Sequence, residues 1–264
     1  MPSRKIIKIN SISIDKKGRY LIKAGSYSFL LNENSFTDGF FYIGKDLTES
    51  DVSFLKEESR VCFLSDYAYS LLSRKSYSKH EMKEKLLHKD PNEKMVDSVL
   101  IRLEKYGLID DLNYAINYKE SRENALYGKK FILDELRYKK GISDQILSNL
   151  SFNNEREHAQ KYLTHLSRSL ESYPYKTQKE KAKISLLRRG FDYEMINDLL
   201  NHSLEQNDSK VFKRLNADAD RAYLRYKQKY NGYELFARVR VSLARKGYGT
   251  DEIEDAIRRI KNER

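Results

Sequence analysis

Four cations share one side of a segment that reads as a helix over 208–230. Lys210, Arg214, Arg221 and Arg225 cluster on one face at about 100° per residue, and Phe212, Leu215, Ala219, Ala222, Tyr223, Tyr226 and Tyr230 fall on the opposite stripe. A phosphate needs only a cation on a stem long enough to reach it, so such a stripe suits a polyanion without fixed geometry. A merely solvated face would mix signs, because alternating charges support a helix; here only Asp218 lies beside the four. A second set is Lys179 and Lys183, four apart on one face, followed by Arg188. A third is Arg238, Arg240 and Arg245, in the most basic part of the chain. Tyr248, in Lys246-Gly247-Tyr248-Gly249, is the tyrosine expected to be exposed, for a base or a partner. Lys140, Arg189 and Lys246 stand at helix ends, where a structural role accounts for them.

Catalytic readings find less support. Gly247-x-Gly249 lacks a third glycine and follows a helical pattern, unlike a dinucleotide loop. The five histidines (80, 88, 158, 165 and 202) have no metal-ligand spacing. Asp110-Asp111 could serve a metal-dependent nuclease, but a helix N-cap before Leu112–Tyr118 explains them more simply. Cys62, the only cysteine, has just Arg60 near it in sequence to stabilise a thiolate, and it excludes an intramolecular disulfide. The expectation is a protein with no catalytic site, no metal, no cofactor and no small-molecule substrate.

The elements that position these cations follow from spacing. Leu86, Val96 and Leu100 are separated by ten and then four residues, and so are Leu136, Ile146, Leu150, then Leu186, Ile196, Leu200, then Leu243, Ile253, Ile257. Four residues before each leading leucine stands Met82, Ile132, Ala182 or Val239, on the same helix face. Between the two helices of each unit come Lys89-Asp90, Lys140-Gly141, Arg189-Gly190 and Lys246-Gly247, where a cation suits the helix C-terminus and glycine can adopt a left-handed cap. Asp90-Pro91-Asn92-Glu93 reads as an N-cap, a proline at N1 and an acid at N3. A further helix precedes each pair, around Tyr67–Leu72, Tyr114–Tyr118, Ala159–Leu163 and Phe212–Tyr230. Before residue 60 the signals are of strands: Ile12 and Ile14 alternate with polar residues, Asp15-Lys16-Lys17-Gly18 turns, and Arg19–Ala24 and Tyr27–Leu31 follow, with a helix opening near Thr48. The expected fold is mainly α, an elongated array of tandem three-helix repeats behind a small β-containing module. Its boundaries are 1–60 for the module and 61–109, 110–152, 153–207 and 208–264 for the repeats.

The stretch Gly107-Leu108-Ile109-Asp110-Asp111-Leu112-Asn113-Tyr114-Ala115 resembles the signature of RecX proteins, and Gly128, Glu135-Leu136 and Lys140-Gly141-Ile142 follow at similar spacing. Upstream, Ser76–Leu86 resembles another family segment, with Met82 where leucine is usual. Arg19-Tyr20 and Gly44-Lys45-Asp46-Leu47 resemble the extension of longer members. Departures are an extra lysine before Gly141, Asp90 where other joints have glycine, and a looser third unit around Glu171–Tyr175. The resemblance implies a modulator, usually an inhibitor, of the RecA recombinase, acting in recombination, DNA repair and the SOS response. It implies binding along the groove of the RecA–DNA filament and to single- and double-stranded DNA.

Composition is compatible with that. Of the net charge of +11 over 264 residues, residues 208–264 supply +6, more than a uniform bias would place there. With one cysteine, no long apolar run and no cleavage site after Met1, a cytoplasmic chain without a membrane partner is expected. The competing reading is a stand-alone DNA-binding helical repeat protein without a recombinase partner.

Overall fold

The computed structural model describes residues 7–202 and 208–263, and within them the chain is mainly α-helical with a small N-terminal β module, the class its periodicity predicts. The six residues read above as lacking a cleavage site, and the expected boundary at 207, lie outside the described residues. The chain forms two compact units, Met1–Asn117 with Leu136–Ser148 and Tyr118–Glu135 with Asn149–Arg264. The expected repeat 110–152 is thus shared between them.

In the first unit β1 (Ile7–Ile14), β2 (Tyr20–Ala24), β3 (Tyr27–Leu31) and β4 (Asp46–Leu47) build an antiparallel sheet in the order β3-β2-β1-β4, with α1 (Glu33–Asp38) between β3 and β4 in the chain. Ile22 pairs with Phe29, and Ile22, Ala24, Phe29 and Leu31 all point inward, as a period of two requires. The alternation expected of Ile12 and Ile14 is displaced. The register shifts between Ile9 and Ser11, so Ile9 is buried and Ile14 is exposed. The turn is as expected: the Asp15 carboxylate accepts from the backbone of Lys17 (2.8 Å) and Arg19 (3.0 Å).

Thr48 opens α2 (Glu49–Leu72) with a capping box closed by Asp51. This helix does not stop at residue 60. Its Leu55 packs in the sheet core, and its Val61, Leu64 and Ala68 pack with α3 (Lys79–Leu87) and α4 (Glu93–Lys105). Asp90 does not cap α4, contrary to expectation. Arg60 takes its carboxylate (Nε–Oδ2 2.7 Å), and Asn92 caps in its place, accepting from Met95 N at 3.3 Å. Next come α5 (Asp111–Asn124), α6 (Lys129–Asp134), a π-helical turn Glu135–Lys139, and α7 (Asp144–Ser148). The remainder is α8 (Glu155–Leu170), α9 (Tyr175–Arg188), α10 (Tyr193–His202), α11 (Asp208–Tyr226), α12 (Gly232–Ala244) and α13 (Thr250–Asn262).

The spaced apolar rows are core. Met82, Leu86, Val96 and Leu100 are buried together, as are Ala182, Leu186, Ile196 and Leu200, and Val239, Leu243, Ile253 and Ile257. The second row is the exception. Ile146 and Leu150 are half-buried, and Leu147 is buried instead. The extra lysine before Gly141 explains the slip, because the π-helical turn absorbs one inserted residue and moves the inward position on by one.

The joints have a second role that spacing alone does not reveal. Each of the last three seats on the start of the second helix of the preceding repeat, within one compact unit. Ser78 Oγ donates to Lys140 O (2.7 Å), Gly128 N donates to Arg189 O (2.8 Å), and Thr177 Oγ1 donates to Lys246 O (2.8 Å). At the first of these seats Glu81 Oε1 lies 2.6 Å from Lys140 Nζ, and Tyr114 donates to Oε2 at 3.0 Å. Burial pushes the Glu81 carboxyl up, but Lys140, the Ser78 backbone N–H and the Tyr114 hydroxyl together hold it below the ordinary carboxylate value. A depressed carboxyl contributes stability above the unfolded value of about 4.3 and loses it as pH falls through the folded value. The denaturation midpoint of the wild type should therefore drop below about pH 4, and Glu81→Gln should flatten that limb. Superimposable acid limbs in the two proteins would contradict this.

Candidate nucleic-acid interface

The cationic stripe lies on α11, in the second unit. The helix buries Val211, Leu215, Asp218, Ala219 and Ala222, with Tyr223, Tyr226 and Tyr230 partly buried in the same core. The expected apolar stripe is thus met except at Phe212, which is exposed; its neighbour Val211 takes the inward place. Helix α11 ends at Tyr226 rather than Tyr230.

The stripe is not a row of free cations. Lys210 pairs with Glu171, and Arg214 donates to Ser172 Oγ (3.0 Å) while lying 3.5 Å over the ring of Tyr173. Arg221 pairs with Asp218 at 3.0 Å. Arg225 is exposed, with no hydrogen-bond or ion-pair partner among the described residues. The loop after α8 therefore fixes the N-terminal half of the stripe, Arg221 is tied to Asp218 of its own helix, and of the four Arg225 is left to solvent.

Asp218 organises the middle. Its side chain is almost fully buried and gathers three donors: Tyr248 OH at 3.0 Å, Lys246 Nζ at 2.7 Å and Arg221 at 3.0 Å. This corrects the expectation that Tyr248 is exposed. The joint turns its ring into the α11–α13 core, where it is 6% exposed. Burial and the Asp218 carboxylate push its hydroxyl well up, so it stays a donor. Sequence reading missed Asp218 as an anchor. The signal was present, since Asp218 is the one acid bordering the stripe on its core side.

The other predicted cations are placed as follows. On α12, Arg240 forms a two-pronged pair with Glu254 of α13, and its hydrogen bonds hold that carboxyl below the usual range. Arg238 pairs with Glu234 and lies 3.8 Å over Tyr230. Arg245 follows the end of α12 and is exposed. On α9, Lys179 donates to Asn201 Oδ1 (2.7 Å), and Lys183 donates to Tyr193 OH (3.0 Å) while lying over that ring. The Lys183 hydrogen bond draws the Tyr193 hydroxyl below its ordinary value. Arg188 is exposed at the end of α9. Arg188, Arg225 and Arg245 are the uncommitted members of the predicted set, Arg221 bonds within α11, and the other cations also link elements or loops. Arg189 does structural work as well, donating to Ala125 O (2.6 Å) and lying over Tyr127 and Tyr162.

The groups with other chemical potential are spoken for. Asp110 accepts from Asn113 N (3.0 Å) as a helix cap, and Asp111 accepts from Lys79 N (2.8 Å) at the start of α3. Burial pushes the Cys62 thiol up. Among the described residues no helix is long and apolar enough to cross a membrane.

No family model matches the chain. Its curated relatives match nearly end to end. Regulatory protein RecX of Streptococcus gordonii is 28% identical over 254 residues, covering 93% of this chain and 97% of the relative. A crystal structure of regulatory protein RecX superimposes with a TM-score of 0.62 at 25% identity, covering 73% of this chain and 99% of that one. Regulatory protein RecX of Streptococcus sanguinis is 30% identical over 254 residues, again 93% of this chain and 97% of the relative. With that identity along almost the whole length and a matching helical fold, the chain belongs to the RecX family.

Proposed function

We propose that this protein is a non-catalytic, negative regulator of the RecA recombinase that binds the groove of the RecA–DNA filament and contacts DNA through its second unit. The observation that carries this is the cationic face of α11. It belongs to the segment holding more than half the excess charge, and it is kept on a rigid helix by Asp218, Tyr173 and Glu171. Membership of a family whose members are named regulatory proteins supports the regulatory half of the reading. Binding along a groove would block access of a second duplex and bias the filament toward disassembly, with no nucleotide consumed by this chain.

The test is recombinase ATP hydrolysis on single-stranded DNA, titrated with substoichiometric protein. A fall well before one-to-one supports filament binding. No change, with DNA binding intact, leaves a stand-alone DNA-binding repeat protein. The DNA contact has its own check in a triple variant, Arg188→Ala, Arg225→Ala and Arg245→Ala, which removes cations with no partner among the described residues. Each single-strand phosphate that is no longer neutralised lowers the slope of log affinity against log salt by about 0.7, so the triple variant should flatten it by about 2. An unchanged slope would remove these three arginines from the interface.

A further inference from the structure

The sequence Gly39-Phe40-Phe41-Tyr42-Ile43-Gly44, between α1 and β4, forms a rigid apolar knuckle outside the cationic face. Phe40, Tyr42 and Ile43 are 81%, 63% and 64% exposed, three large apolar side chains within four residues. Single exposed apolar residues are ordinary, but a contiguous group on a fixed turn marks a contact surface. The turn is fixed from beneath. Phe41 is buried, with its ring against Phe36 and Phe54. Lys45 folds inward, donating to Gly39 O (3.0 Å) and Phe40 O (3.4 Å) with its ammonium 4.8 Å from the Phe41 ring centre. Gly44 N donates to Ile9 O at 2.9 Å, tying the far end to β1. Phe40 itself is held at φ +46°, a backbone region that a bulky residue rarely occupies. Side chains presented in one conformation lose little freedom on binding.

The charge around the knuckle identifies its partner class. Residues 33–51 carry five carboxylates (Glu33, Asp38, Asp46, Glu49 and Asp51) against Lys45 alone, in a protein of net charge +11. Lys45 is turned onto backbone carbonyls and Lys8 reaches only Asp46, at 3.7 Å, so the carboxylates still outnumber the cations at the rim. An acidic rim repels phosphate and suits an apolar pocket edged by lysine or arginine on a protein. We infer that this knuckle docks into a cation-rimmed apolar pocket on a recombinase subunit of the filament, while the second unit supplies the DNA contact. The inference rests on the recombinase reading above and adds to it a protein-facing residue set.

The test compares the wild type with a variant carrying Phe40→Asn, Tyr42→Ser and Ile43→Ser. Asparagine tolerates the left-handed backbone at position 40, so the fold should persist, with circular dichroism as the control. Affinity is measured for recombinase filaments on single-stranded DNA and for the bare strand. The expected result is a loss of at least tenfold for filaments with bare-strand affinity unchanged. A second variant, Asp38→Lys with Asp46→Lys, should weaken filament binding while strengthening bare-strand binding. Equal filament affinity in wild type and knuckle variant overturns the inference and leaves the recombinase reading standing. An equal loss on the bare strand makes the knuckle a base-stacking site and also overturns it. A concentration-dependent dimer of the wild type that the knuckle variant abolishes assigns the surface to a second copy and overturns it too. Wild-type protein that ignores filaments altogether overturns both readings.

Discussion

Gly190→Ala should destabilise the second unit by about 3 kcal/mol or more. Two costs combine. Gly190 has φ +81°, and an L side chain in that region costs about 1–2 kcal/mol. A Cβ there would stand 2.3 Å from Phe131 N and 2.5 Å from Phe131 Cβ, so the clash falls on backbone that cannot swing aside. The joint would have to lift off the start of α6, straining two hydrogen bonds, Gly128 N to Arg189 O at 2.8 Å and Lys130 N to Gly190 O at 3.1 Å. Each is worth about 1 kcal/mol net in a packed site. Gly128→Ala separates the two costs. Its φ is an ordinary −83°, yet its Cβ would meet Gly190 C, Gly190 O and Phe191 N, all at 2.5 Å. It should cost about 2 kcal/mol by closeness alone. The double variant should cost less than the sum, because both changes break the same seat. Urea unfolding followed by amide exchange at residues 128–132 and 186–191 reads the effect. A Gly190→Ala protein within about 1 kcal/mol of wild type would show that the two chain segments are not held together.

That seat marks how far sequence reading reaches. The apolar rows are visible because helical core positions recur at fixed spacing, and Met82, Leu86, Val96 and Leu100 are buried as that spacing requires. The joints are visible as helix ends, because a cation followed by glycine has a local reason to be there. What the joints dock against is not local. Ser78, Gly128 and Thr177 each lie some sixty to seventy residues before the carbonyl they meet. The row of repeat two fails at Ile146 for a reason that was in the sequence, since one extra residue between Leu136 and Gly141 has to be accommodated, and the π-helical turn does it. The candidate interface divides the same way. Periodicity places Lys210, Arg214, Arg221 and Arg225 on one face, but whether each is free depends on acids and rings elsewhere in the fold. Tyr248 stands between two glycines, as a loop residue does, and only the buried Asp218 reveals why its ring turns inward. The knuckle at Phe40 has neither helical nor strand periodicity, so its only signal is an apolar run bracketed by Gly39 and Gly44.

Asp218→Ala should move stability and DNA binding in opposite directions, which a purely structural or a purely electrostatic role would not do. Asp218 is 4% exposed and accepts from the Tyr248 hydroxyl, itself 6% exposed, so truncation strands that buried donor. Losing a hydrogen bond to a charged acceptor costs about 1.5–3 kcal/mol, and the lower part of that range fits, because Lys246 and Arg221 are exposed enough to rehydrate. Tyr248→Phe should cost about 1 kcal/mol, since Asp218 keeps both cations. The pair in a double-mutant cycle should therefore show strong coupling. On the binding side, truncation releases Lys246 and Arg221 beside the α11 stripe and raises the net charge by one. Two cations freed for phosphate should steepen the single-strand salt slope by about 1.4 and raise low-salt affinity severalfold, measured well below the unfolding transition. Lower affinity at every salt concentration, in protein shown to be folded, would mean that Asp218 orders the face that DNA meets rather than merely neutralising it. Unchanged affinity with the expected loss of stability would move the interface away from the middle of α11, toward Arg225 and Arg188.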